Sequence, residues 1–236
     1  MNFVIVDSRL PRDCCKKLSD MGFELIKMPT WEKLDAPVSA HPDMLFFIAG
    51  DKIFTHRDYR VTAHSEFAKI SKRGYDIIIT DEEISAKYPN DVRFNCVQFG
   101  NIIYGKRKST SRLIVEHADH NGLSFCDVKQ GYTKCSVCKI NDGAAITSDK
   151  SLYNALTKNG VDVLLISPSH ITLVGYDCGF IGGCTGTTDS SVYFSGNISL
   201  HPDGEKIRDF CLKHRKTPVS LSDSVLFDCG TMFFIN

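Results

Sequence analysis

Amphipathic stretches alternate with short apolar runs along the chain, and the same order recurs several times. "AHSEFAKISKRG" leads to "YDIIIT", and "SDKSLYNALTKNG" leads to "VDVLLIS". Each amphipathic stretch predicts a helix, and the glycine after it predicts the left-handed residue at which a helix ends. Four such glycines are Gly22, Gly74, Gly122 and Gly160. The apolar run that follows each of them predicts a strand.

A short hairpin is predicted before each helix. "PDMLFFIAGDKIFTHRD", "NCVQFGNIIYGKR" and "KCSVCKINDGAAITSD" each hold two apolar runs on either side of a Gly, Asn or Asp sequence. These residues are typical of the tight turns between antiparallel strands. We therefore predict a repeating unit of hairpin, helix and strand, roughly 45 residues long. One such unit buries little apolar surface alone, so the units must pack against one another.

The two ends of the chain predict that the repeats close on themselves. The N-terminal "NFVIVD" and its helix lack the first half of a hairpin, whereas the C-terminal "SVLFDCGTMFFIN" has no helix after it. Together they make one complete unit, so we expect the C-terminal strand to pair beside the N-terminal strand. The prediction is an α/β fold in one domain, residues 1–236, built as a five-bladed, pseudo-symmetric β/α propeller. An open α/β sheet is the alternative, but it does not explain the second strand of each unit.

Composition and charge narrow the class of partner. Lysine and arginine number 28, as do aspartate and glutamate, so the 236-residue chain carries no formal net charge. That balance argues against nucleic acid or a membrane surface as a partner, since either needs an excess of cationic side chains. No apolar run reaches the length of a membrane span, and "MNFVIVDSRLPRD" does not have the pattern of a signal peptide. We therefore expect a cytoplasmic protein whose ten cysteines are reduced.

The predicted architecture and two local motifs resemble the pentein fold of guanidino-group modifying enzymes. The first hairpin of that family begins with an acidic residue before an apolar strand, and "HPDMLFFIAGD" has this form with Asp43. The family's nucleophilic cysteine lies at the head of the last inner strand, and "DCGTMFF" places Cys229 there or within one residue. More narrowly, the chain resembles uncharacterised clostridial-type proteins of this fold.

The resemblance implies a thiol-dependent hydrolase or transferase that acts on a C–N bond of a small guanidino or amidino compound. Cys229 would be the nucleophile, and Asp43 would anchor the guanidinium by paired hydrogen bonds. Asp228 next to Cys229 opposes a thiolate, so the cationic substrate would have to stabilise it. Asp177 and Asp228 are further candidate substrate-binding residues.

The catalytic histidine of the family has no counterpart at its usual position, which falls near Phe180 in "DCGFIGGCTGTTD". His41, two residues before Asp43, and His170, in "SPSHITL", are the candidate replacements as general acid and base. The family's second acidic position falls at 134–136, in "TKCSVC", where no acid occurs. The alternative function is therefore a non-catalytic pentein that binds a small molecule, a metal or a protein at the channel rim. The sequence leaves open whether the protein is an enzyme.

Four of the five inner strands are predicted to begin at a cysteine near the central channel. The five predicted strand starts are Asp43, Cys96, Cys135, Cys184 and Cys229. Such thiols can bind a soft metal, form a redox pair or pack in the core. Weak candidates for metal ligands are Cys96, Cys135, Cys178 and Cys184. We predict packing thiols without a metal or cofactor, and a tight turn at the glycines of "GFIGGCTG". The sequence does not indicate the oligomeric state.

Overall fold

Hairpins, helices and strands follow one another in the predicted order in the computed structural model, which describes residues 2–235. The chain begins with β1 (Phe3–Asp7), α1 (Arg12–Asp20) and β2 (Glu24–Met28). The next group comprises α2 (Pro42–Leu45), β3 (Phe46–Ala49), β4 (Lys52–His56), α3 (Arg57–Thr62), α4 (His64–Ser71) and β5 (Asp76–Thr80). The third group comprises β6 (Val97–Phe99), β7 (Ile102–Gly105), α5 (Arg112–His120) and β8 (Ser124–Asp127).

The remaining elements lie in the C-terminal half of the chain. The fourth group comprises β9 (Val137–Asn141), β10 (Ala144–Thr147), α6 (Lys150–Lys158) and β11 (Asp162–Leu165). A short strand, β12 (Ile171–Thr172), precedes the fifth group of β13 (Thr185–Thr187), β14 (Ser191–Phe194), α7 (Gly204–Lys213) and β15 (Thr217–Ser220). The chain ends with β16 (Leu226–Phe227) and β17 (Phe233–Ile235), and short 3₁₀ helices span Ala36–Val38 and Ile198–Leu200.

Small mixed sheets of three strands make up this α/β fold. In each complete group the second hairpin strand pairs antiparallel with the first strand. It also pairs parallel with the strand after the helix. The parallel pair is possible because the helix carries the chain back to the same edge. Strands β12 and β16 form an additional parallel pair that the sequence pattern did not predict.

The C-terminal strand completes the sheet of the N-terminal strand, as predicted. Strand β17 pairs antiparallel with β1, with Phe3 opposite Ile235 and Ile5 opposite Phe233. Strand β1 in turn pairs parallel with β2. The resulting order β17–β1–β2 matches that of the other three-stranded sheets.

Strand β1 is buried on both faces, which explains why it is apolar at nearly every position. Val4 and Val6 belong to a buried cluster with Cys14 and Leu18 of α1. Ile5 belongs to a different cluster on the other side of the strand. Among residues 2–235 no helix is long and apolar enough to cross a membrane.

The five predicted strand starts lie just before the inner strands rather than within them. Cys96 and Cys184 directly precede β6 and β13, and Cys135 precedes β9 by two positions. Asp43 lies in the helical turn α2 rather than at a strand start, because Pro42 begins a short helix there. Cys229 precedes β17 and is separated from it by Gly230 and two further residues.

Candidate active site

One outer strand of each three-stranded sheet contributes to a single cavity of about 770 Å³, which is lined by β3, β6, β9, β13 and β17. One end of the cavity reaches the hairpin turns at Gly50, Gly100 and Asp142. The other end is formed by Cys96, Lys134 and Thr231, which we call the channel floor. A cavity of this volume suits a small-molecule ligand.

The polar groups of the channel floor form a continuous hydrogen-bonded chain. Lys134 Nζ donates to Thr231 Oγ1 at 3.1 Å. The Thr231 hydroxyl lies 2.7 Å from Asp43 Oδ2 and 3.0 Å from the carbonyl oxygen of Gly182. A hydroxyl donates one proton at a time, and the carboxylate is the stronger of its two acceptors. An amine, a hydroxyl and a carboxylate are therefore connected in sequence.

Lys134 carries the amine of the channel floor. Its Nζ also donates to the carbonyl oxygen of Val137 at 3.4 Å, and within residues 2–235 it forms no ion pair. An ammonium group has three donors, so one N–H has no protein acceptor in the described part of the chain. Burial lowers the pKa of Lys134, and the Asp43 carboxylate partly opposes that shift.

Asp43 lies behind the channel floor and is only 1 % exposed. Its backbone N–H donates to the carbonyl oxygen of Gly230 at 3.0 Å, which ties α2 to the segment before β17. Its Oδ1 atom is buried and has no hydrogen-bond partner among residues 2–235. Asp43 does not line the cavity. The predicted substrate anchor therefore reaches the cavity only through the Thr231 hydroxyl.

Cys229, the predicted nucleophile, does not line the cavity and is 5 % exposed. It belongs to the buried cluster of Val4 and Val6, and its Sγ lies 3.4 Å from the carbonyl oxygen of Gly183. Burial raises the pKa of the Cys229 thiol well above its ordinary value, and the Asp228 carboxylate raises it further. In this conformation the side chain is a protonated thiol packed in the core.

The two candidate histidines also lie away from the cavity. His41 is buried between two carboxylates, with Nε2 3.8 Å from Asp7 Oδ2 and Nδ1 3.6 Å from Asp228 Oδ1. His170 is exposed, and its ring lies 5.9 Å from that of His201. The structure therefore brings His41 to Asp228 and leaves His170 on the surface.

Asp177 and Asp228, the two further candidate substrate-binding residues, differ in burial. Asp177 is exposed and does not line the cavity. Asp228 is buried and accepts hydrogen bonds from the backbone N–H groups of Phe180, at 2.9 Å, and Gly230, at 3.0 Å. Burial raises the pKa of Asp228, and His41 partly offsets that shift. Asp228 therefore holds two backbone segments in place.

The cysteines proposed as weak metal candidates occupy separate environments. Cys96 is buried at the channel floor, and burial raises the pKa of its thiol to about 12. Cys135 accepts a hydrogen bond from Asn95 Nδ2 at 2.9 Å, and Cys184 Sγ lies 3.1 Å from the carbonyl oxygen of Ile181. Cys178 is exposed. Among residues 2–235 no three His, Cys, Asp or Glu side chains lie together as a metal site requires.

The glycine-rich segment before β13 packs tightly against the floor. A Cβ atom at Gly182 would lie 2.3 Å from the carbonyl oxygen of Lys134. A Cβ atom at Gly183 would lie 2.0 Å from Asp228 Oδ1. Only glycine permits this close approach, and the chain turns at 181–184, within the predicted "GFIGGCTG" segment.

Thr231 and Lys134 are the floor residues that the sequence analysis missed. Thr231 lies two positions after Cys229, the predicted nucleophile, and its backbone φ is +63°. Lys134 falls at a position where the family resemblance led us to look for an acid. The only sequence signal for either residue was its place just before an inner strand.

Comparison with solved structures identifies the fold as that of the penteins, the guanidino-group modifying enzymes. The chain is similar to SxtG, an amidinotransferase from Microseira wollei in the saxitoxin biosynthetic pathway. The TM-score is 0.60 at 12% identity, over 94% of this chain and 88% of that one. DDAH from Pseudomonas aeruginosa complexed with citrulline gives a TM-score of 0.57 at 10% identity, over 93% and 91%. Agmatine deiminase from C. jejuni gives 0.54 at 7%, over 93% and 87%. Identities this low establish the fold alone.

A family model identifies the family to which the chain belongs. Residues 5–233 match the family described as "Family of unknown function (DUF6873)". No curated protein matches the chain.

Proposed function

We propose that the protein is a hydrolase or transferase that acts on a C–N bond of a small guanidino or amidino compound bound in the channel cavity. The observation that carries this proposal is the channel floor, where the Lys134 amine and the Thr231 hydroxyl line one end of a cavity of about 770 Å³ and are linked to the Asp43 carboxylate behind them. Three structures of similar fold are named as an amidinotransferase, a DDAH and an agmatine deiminase.

The floor is compatible with a cationic ligand because of the environment of Lys134. Burial lowers the pKa of Lys134, which makes the loss of its proton beside a second cation less unfavourable. The Asp43 carboxylate then supplies negative charge behind Thr231, where a guanidinium group would approach. The cavity wall is partly aromatic, with Phe47 and Phe233 contributing, and aromatic faces attract a flat cation.

The catalytic role of Cys229 stays a prediction. For its thiol to reach the ligand, the segment 228–231 would have to turn away from the core cluster around Val4. The test is the pH dependence of iodoacetamide alkylation of Cys229, read by peptide mass spectrometry with and without arginine. Ligand protection together with a lowered thiol pKa would support the nucleophile; ordinary slow alkylation without protection would count against it.

We also propose that the five three-stranded sheets form a closed ring in one domain. The support is that one outer strand of each three-stranded sheet lines a single cavity, that β13 lies against both β9 and β17, and that the two chain ends share a sheet. Small-angle X-ray scattering offers a check, because a closed ring of 236 residues has the radius of gyration of a compact globule.

The activity is tested with a panel of arginine, methylated arginines, agmatine and citrulline. Release of ammonia, alkylamine or urea, or transfer of the amidino group to an added amine, is measured by mass spectrometry. Activity should fall at least tenfold in Lys134→Met and stay unchanged in Lys17→Met, whose Nζ bonds the Ser220 carbonyl oxygen outside the cavity. Absence of both turnover and calorimetric binding across the panel would overturn the proposal.

The alternative is a non-catalytic pentein that binds a ligand at the channel. It is supported by the core position of Cys229 and by the positions of His41 and His170, neither of which lines the cavity. Calorimetric binding of a panel compound without any turnover would indicate this function.

A further inference from the structure

Thr231 has a backbone conformation that β-branched residues rarely adopt. Its φ is +63°, and Gly230 before it has a φ of +74°. These two left-handed residues turn the chain so that Thr231 lines the cavity although Cys229 does not. Strain of this kind persists only where surrounding contacts fix it, and it is concentrated at functional sites.

Hydrogen bonds from both its backbone and its side chain fix Thr231. Its backbone N–H donates to the carbonyl oxygen of Gly183 at 3.0 Å. Its hydroxyl lies between Asp43 Oδ2, at 2.7 Å, and Lys134 Nζ, at 3.1 Å. A hydroxyl with a carboxylate on one side and an amine on the other has a proton acceptor and a proton donor in place.

We propose that Thr231 Oγ1 is an oxygen nucleophile at the channel floor, with Asp43 as its proton acceptor and Lys134 as the proton donor to the leaving group. The assignment of an amidino carbon as the electrophile rests on the proposed function, whereas the assignment of Thr231 as the nucleophile does not. Lys134 donates to the same oxygen and stabilises the negative charge that develops there. Hydroxyl and lysine side chains form comparable pairs in other hydrolases.

The first half of the reaction balances as follows. Thr231 Oγ1 forms a bond to the amidino carbon while its proton passes to Asp43 Oδ2. The C–N bond to the leaving amine then breaks, and Lys134 gives a proton to that nitrogen. The products of this half are a free amine and an O-linked isourea on Thr231, with Asp43 protonated and Lys134 neutral.

The second half restores the starting state. Water gives a proton to Lys134 and forms a bond to the isourea carbon. The bond from that carbon to Thr231 Oγ1 breaks, and the oxygen takes the proton from Asp43. A ureido or urea product leaves, and an acceptor amine in place of water gives amidino transfer. Lys134 must serve as ammonium and as amine in turn, and its burial brings the two forms closer in free energy.

Covalent labelling tests the nucleophile without a known substrate. Methanesulfonyl fluoride is small, and an activated hydroxyl displaces its fluoride to form a sulfonate ester that peptide mass spectrometry locates. We expect the wild-type protein to be labelled at Thr231. Thr231→Ser should retain the label on the serine, and Lys134→Met should slow labelling at least tenfold.

Matched controls separate this role from a structural one. Thr55→Val removes another buried hydroxyl, which bonds the Leu45 carbonyl oxygen away from the cavity. Lys17→Met removes an amine outside the cavity. Both controls should be labelled at Thr231 at the wild-type rate. A folded wild-type protein without label at Thr231, or equal labelling of Lys134→Met, would overturn the proposal.

The outcome for this nucleophile is distinguishable from the outcome for the proposed function. Label at Thr231 without turnover of any amidino compound would support the nucleophile and refute the substrate class. Turnover that survives unchanged in folded Thr231→Val would refute the nucleophile and leave the proposed function standing.

Discussion

Replacing Gly183 with alanine should destabilise the protein by about 3–6 kcal/mol. The new Cβ would lie 2.0 Å from Asp228 Oδ1 and 2.4 Å from Asp228 Cγ. The carboxylate cannot turn aside cheaply, because it accepts hydrogen bonds from the backbone N–H groups of Phe180 at 2.9 Å and Gly230 at 3.0 Å. Each bond to a buried charged group contributes about 1.5–3 kcal/mol, so losing both sets the magnitude.

The assay is urea unfolding followed by far-ultraviolet circular dichroism. The matched control is Gly143→Ala in the turn between β9 and β10, where the nearest atom to a new Cβ is Asn141 Oδ1 at 3.6 Å. That control should stay within about 1 kcal/mol of wild type. Combining Gly183→Ala with Asp228→Ala should destabilise by less than the sum of the single changes, because the second change removes the clash. A Gly183→Ala protein within about 1 kcal/mol of wild type would refute the reasoning.

The remaining predictions concern pH and thiol reactivity. A hydrogen bond from Lys206 holds the pKa of Asp203 well below its ordinary value. Asp203→Asn should therefore cost about 1 kcal/mol at neutral pH in urea unfolding, and the difference should shrink as the pH falls below about 4 towards the lowered pKa. Burial lowers the pKa of His201, so folding stability should fall as the pH drops below about 6.5, and His201→Asn should flatten that dependence. Of the ten cysteines, all within residues 2–235, only Cys178 is exposed. Iodoacetamide should modify it first and Cys229 far more slowly, and equal rates would contradict the buried position of Cys229.

The repeat could be predicted because its signals are local. Glycine after a helix predicts the helix end, and Gly22, Gly74 and Gly160 have φ values of +89°, +90° and +83°. The helix of the fifth group, α7, lacks that glycine and is followed instead by Arg215, whose φ is +58°. The unmatched half-units at the two chain ends then required a shared sheet, which β17 and β1 form.

The candidate site was harder to predict because the segment before β17 is not a regular strand. On an extended strand, Cys229 and Thr231 would point to the same face, since side chains alternate. The left-handed φ values at Gly230 and Thr231 break that alternation. Cys229 then packs into the core, and Thr231 reaches the cavity. A glycine signals such freedom in the sequence, but a left-handed threonine does not.

The position of His41 away from the cavity has a similar origin. Sequence proximity to Asp43 suggested a shared site, but the turn α2 begins between the two residues. His41 packs so closely against Gly230 that a Cβ atom added at Gly230 would lie 2.2 Å from the Cβ of His41. The His41 ring also approaches Asp7 and Asp228. These contacts join residues from opposite ends of the chain, so no local pattern encodes them.

Asp228 lies behind the channel floor beside His41 and helps to position the Thr231 hydroxyl on that floor. Its carboxylate binds the N–H of Gly230 and so holds the left-handed turn that points Thr231 into the cavity. A buried carboxylate costs several kcal/mol of desolvation, and an apolar side chain of similar volume stabilises a core at least as well. Stability alone therefore does not account for Asp228, whereas the need to fix one backbone conformation does. The Thr231 hydroxyl between Lys134 and Asp43 is what that conformation provides.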